Sequence, residues 1–166
     1  MTTFLGTSML RILVAFLLCV STISAAANKQ HQAIIPSPKM LSLLDEAKKM
    51  MNYTDKLPEL RMYSVSDKEL QKMFCGPSKC TVTAIYTDGK MYFDQDLDIN
   101  HPIWKSIILH EMVHHIQYAK VGGTVTCDMW YKKEREAYHM QAAYLRKLGV
   151  SDKVVIDTVK NIKCPE

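Results

Sequence analysis

The chain has 166 residues, 48% of them apolar and 23% charged. One globular domain can build a core from that mixture, which excludes disorder over most of the length. The 21 basic side chains exceed the 17 acidic ones by only four, with no run of like charges, so a nucleic-acid partner is not expected.

Residues 1–27 are a different material from the rest. Residues 12–20 are uninterrupted apolar side chains behind Arg11, and the segment ends at Ser24-Ala25-Ala26-Ala27. That pattern predicts a secretory signal peptide, too short to span a bilayer as a mature helix. Residues 28–166 are then expected as a single domain, secreted or periplasmic, with no stable membrane span. With Cys19 removed, Cys75, Cys80, Cys127 and Cys164 remain. An even count in an exported chain predicts two disulfides, with three connectivities open. The Gly76-Pro77 turn lets Cys75 return to Cys80, which leaves Cys127 for Cys164.

Residues 36–53 carry apolar side chains at a helical period. Residues 60–65 alternate as a short strand does, and Ser66 with Glu69 forms a capping box for a helix to Phe74. Residues 81–87 and 90–94 read as a β-hairpin closed by Asp88-Gly89. Pro102 opens a helix that runs to about Ala119 and stops at Gly122-Gly123. A further helix is expected over 129–148, and a last one, capped by Ser151, through Ile162. The fold class is therefore α+β: mostly helical, with a small antiparallel sheet packed on the helix after Pro102.

That helix contains His110-Glu111-Met112-Val113-His114, an HExxH pattern. Residues i and i+4 share a face, so both imidazoles can reach one ion. Zinc suits two imidazoles, and Glu111 stands where it can act as base toward a water on the metal. Leu109, Met112, Val113 and Ile116 fall on the opposite side and are expected in the core.

A catalytic zinc needs a third protein ligand, for which Glu134 and Glu136 compete. At 100° per residue, Ala137, Tyr138, Gln141 and Leu145 lie within about 60° of Glu134. Glu136 lies at about 200°, beside Met140 and Lys147. Glu134 is thus the carboxylate on an inward stripe, where a metal would offset the burial of its charge. Glu136 reads as a solvated bystander. His115 reads as a surface residue. Trp104 and Trp130 are expected in the core or the cleft wall.

HExxH followed about 20 residues later by a glutamate in a second helix resembles the gluzincin branch of zinc metallopeptidases. The segment from Glu134 to Ala137 is similar to the third-ligand helix of minigluzincin-type peptidases, although Tyr138 stands where those often carry Asp. The stretch around both motifs also looks like small exported bacterial zincin-like proteins. The resemblance implies a zincin-like fold and hydrolysis of amide bonds. It implies Zn2+ on His110, His114 and Glu134, with Glu111 as general base. The substrate would be a peptide, a protein or a peptidoglycan cross-link. It also implies that a strand bordering the site binds substrate, for which residues 90–94 are the matching candidate. Tyr138 and Tyr131 could orient a histidine or support an oxyanion. The competing expectation is a catalytically silent zincin-fold binding or scaffold protein whose zinc is structural.

Overall fold

The computed structural model describes residues 31–75, 80–123 and 126–164. The predicted signal peptide lies outside the described residues. In chain order the elements are α1 (Pro38–Met50), β1 (Arg61–Val65), α2 (Asp67–Phe74), β2 (Ala84–Thr87), β3 (Lys90–Asp94), α3 (Pro102–Val121), α4 (Cys127–Lys147) and α5 (Lys153–Asn161). The α+β class expected from the sequence is the class observed.

Local chemistry accounts for most of the boundaries. Ser37 caps α1 through Met40 N–H, with Pro38 at the first helical position. The Ser66–Glu69 capping box is formed in both directions at the start of α2. Gly122, at φ 76°, ends α3 in a conformation that a side chain would resist. Thr126 caps α4. At α5 the cap falls one residue later than expected, on Asp152, although the Ser151 hydroxyl still accepts from Lys153 N–H at 3.4 Å.

The sheet is not the simple hairpin that the sequence suggests. Its order is β1-β3-β2, with β2 antiparallel to β3 and β1 parallel to β3 on the other side. Strand β3 is therefore central, its backbone groups engaged by both neighbours, and cannot receive a substrate strand. Among the described residues the free edge beside α3 belongs to β2, which replaces residues 90–94 as the candidate bordering strand. The cause is the parallel β1–β3 pairing, a long-range contact that no local pattern announces.

Helix α3 lies at the centre of the domain, packed against α1, α4 and β2. Leu109, Met112, Val113 and Ile116 are fully buried, as their helical face predicts. Met62 and Met91 from the sheet and Leu43 and Ala47 from α1 join the same core. Enclosure from several sides also buries His110, Glu111 and His115, so α3 has almost no wet face along its middle.

Two disulfides are present, Cys75–Cys80 and Cys127–Cys164, the pairing favoured by the turn residues. The second joins residues 37 apart in sequence and fastens the first turn of α4 to the chain beyond α5. Closing a loop of that length restricts the unfolded chain by about 3–4 kcal/mol. The bridge steadies the helix that carries Glu134. Among the described residues, no helix is long and apolar enough to cross a membrane.

Candidate metal centre

Three side chains from two helices converge on one point. His110 and His114, one turn apart on α3, bring their Nε2 atoms within 3.0 Å of each other. From α4, the Glu134 carboxylate reaches His110 Nε2 at 3.3 Å and His114 Nε2 at 3.1 Å. Ligands about 2.0–2.1 Å from a tetrahedral ion stand about 3.3–3.4 Å from one another. The observed separations fit that edge length with only small adjustment. His110, His114 and Glu134 together form a group that can hold a metal ion.

The electrostatics agree. Burial alone would raise the Glu134 carboxyl, but hydrogen bonds with His110 and His114 bring it down to about 2. Burial would likewise lower His114, yet Glu134 and the neighbouring Glu111 hold it up at about 9. A carboxylate kept ionised against desolvation, with two imidazoles turned toward it, is a place that favours a cation. Of the two glutamates, Glu134 is the one that joins this cluster.

Glu136 is not the bystander expected. Although exposed, it accepts a hydrogen bond from Gln117 Nε2 at 2.9 Å, and Gln117 Oε1 lies 2.8 Å from His114 Nδ1. The helical wheel placed Glu136 away from the ligand face correctly, but α3 crosses beside α4 there and supplies Gln117. The sequence does carry a signal for that residue: Gln117 stands three positions after His114, on the same helix face.

Glu111 is buried next to the cluster. Burial is the main influence raising its pKa, opposed by the two histidines. The backbone of Tyr86, on the outer edge of β2, adds a weaker lowering influence. The base candidate thus faces the same cleft as the edge strand β2.

His115 corrects the surface reading. It is fully buried, with Nε2 3.2 Å from the Pro58 carbonyl and Nδ1 3.2 Å from the Tyr86 hydroxyl. A carbonyl only accepts, so Nε2 carries the proton and Nδ1 accepts from Tyr86. Burial lowers the pKa of this ring and keeps it neutral. Tyr86 in turn accepts from Gly89 N–H at 2.9 Å. This chain of bonds pins the β2 edge, the β2–β3 turn and the segment before β1 onto α3. His115→Ala is therefore expected to lower stability by about 2–4 kcal/mol, from the cavity and the carbonyl left unpaired. Urea unfolding of the metal-free protein checks it; a change within about 0.5 kcal/mol, normal for a surface position, would contradict it.

A cleft of about 470 Å³ opens over the cluster, walled by β2 on one side and by Trp130, Lys133 and Tyr138 of α4 on the other. Tyr138 packs edge-on against His110, ring centres 4.4 Å apart. Burial, with the nearby Glu134 and Glu111 charges, raises its hydroxyl to about 12, so it remains a donor. Tyr131 does not line this cleft; its ring lies under the Arg135 guanidinium. Trp130 is a cleft wall, and Trp104 is half-buried beside His101.

No curated protein and no solved structure matches the chain. A family model does match, and its span of residues 27–165 takes in α3, α4, both disulfides and every side chain of the cluster. On that extent of agreement, the chain belongs to the family described as a domain of unknown function, DUF6647.

Proposed function

We propose that the protein is an exported zinc-dependent hydrolase of peptide or related amide bonds, with a zincin-like arrangement of the gluzincin type. The observation that carries this reading is the convergence of His110, His114 and Glu134 at 3.0–3.3 Å with the Glu111 carboxylate beside them. His110, His114 and Glu134 would hold the ion. Zinc bound there supplies a Lewis acid that polarises the amide carbonyl and acidifies a water molecule.

The remaining chemistry belongs to the chain. Glu111 takes the proton of the attacking water on its carboxylate and passes it to the departing nitrogen. Its burial, which raises its pKa, suits a group that must both accept and return a proton. The outward edge of β2 offers backbone groups to an extended substrate, as sheet edges do in peptide recognition. Tyr138, protonated and beside His110, is the donor best placed to support negative charge developing on the carbonyl oxygen. A purely structural zinc would have no use for Glu111, which weighs against a silent scaffold.

The test is metal quantitation on the purified protein beside hydrolysis of general peptide and peptidoglycan-derived amide substrates. About one equivalent of zinc is expected per chain, with turnover lost on chelation and restored by zinc. Zinc with no turnover on any amide would favour the silent binding protein.

A further inference from the structure

We infer that Gln117 and Glu136 form an outer hydrogen-bonded relay that selects the ligating nitrogen of His114 and strengthens its hold on the metal. The inference rests on the metal-centre reading of His110, His114 and Glu134, and extends it to residues outside the coordinating group.

The direction of every bond in the relay follows from its far end. Gln117 Nε2 lies 3.0 Å from the Lys133 carbonyl and 2.9 Å from Glu136 Oε2. Both of those oxygens can only accept, so the amide nitrogen of Gln117 must face them. The amide oxygen is then turned to His114 Nδ1 at 2.8 Å and can only accept there. Nδ1 of His114 must therefore carry a proton, so Nε2 is the nitrogen left for an ion. Nε2 is the atom that meets Glu134 and His110.

Two further features give the relay weight. The Glu136 charge sits at its outer end, so the chain runs from a carboxylate through a polarised amide to a ligand imidazole, which raises ligand basicity. His110, by contrast, has a buried Nδ1 with no hydrogen-bond partner among the described residues. Outer support for the two histidines is thus unequal and passes through His114. Gln117 comes from α3 itself, while Lys133 and Glu136 flank Glu134 on α4. The relay therefore also ties the two ligand-bearing helices together at the metal.

Gln117 and Glu136 are positioning residues, and the test uses metal affinity rather than turnover. Zinc dissociation constants would be measured by chelator competition for the full mature chain and for Gln117→Leu and Glu136→Ala. Gln117→Leu is expected to weaken zinc by about 10- to 100-fold. Glu136→Ala, one bond further out and at an exposed position outside the core, is expected to weaken it by about 3- to 10-fold. Nitrogen-15 shifts of the His114 ring in the zinc-loaded protein provide a second readout. They should report a protonated Nδ1 and a ligated Nε2, with the Nδ1 proton exchanging faster in both variants. Affinities within twofold of the parent and unchanged Nδ1 exchange would overturn the relay while leaving the metal centre standing. A parent protein that binds no zinc would overturn both.

Discussion

Replacing Glu134 with glutamine is expected to remove most of the bound zinc while leaving the fold intact. The substitution keeps the volume of the side chain and deletes its charge. That charge is the one anionic member of the cluster, with its oxygens 3.1 and 3.3 Å from the two histidine nitrogens. Loss of a buried partner of opposite charge costs about 3–5 kcal/mol. Zinc affinity should therefore fall roughly 100- to 4000-fold. Helix α4 itself keeps its Thr126 cap and its disulfide to Cys164, so the metal-free variant should still fold, with a lower thermal midpoint because the two histidines lose their carboxylate partner. Equilibrium dialysis against buffered zinc would measure the loss. If Glu134→Gln kept zinc and Glu136→Ala released it, the assignment of ligand and relay would be reversed.

Glu111→Gln should separate chemistry from coordination. The amide cannot take up a proton, so kcat/KM for amide hydrolysis should drop by about 100- to 10,000-fold. The substitution keeps the volume of the side chain, and none of the three converging ligand atoms is touched. Zinc affinity should stay within a few-fold of the parent. A variant that holds zinc and retains turnover would remove Glu111 from the mechanism.

The cluster of His110, His114 and Glu134 was legible because helices make it so. HExxH places two imidazoles on one face by periodicity alone, and the stripe through Glu134, Ala137, Gln141 and Leu145 marks the inward side of α4. Burial of Ala137, Gln141 and Leu145 bears that out. Capping residues and the Asp88-Gly89 turn gave most boundaries for the same reason, since they act within a few residues. What escaped the sequence depends on how distant segments meet. Parallel pairing of β1 with β3 moved the free edge to β2. The Pro58 carbonyl and the Tyr86 hydroxyl, 57 and 29 residues away, make His115 a core residue. The crossing of α3 and α4 turned Glu136 from a solvated charge into the end of a relay. A helical wheel shows which way a side chain points, but not what is waiting there.

Zinc-edge X-ray absorption on the purified, zinc-loaded protein reads the identity of the ligands at the metal itself. The expected first shell has two imidazole nitrogens and a carboxylate oxygen at about 2.0–2.2 Å, with one further light atom and no sulfur. A sulfur shell near about 2.3 Å would move the metal to the cysteines and contradict the His110, His114 and Glu134 centre. So would a spectrum unchanged by His114→Ala.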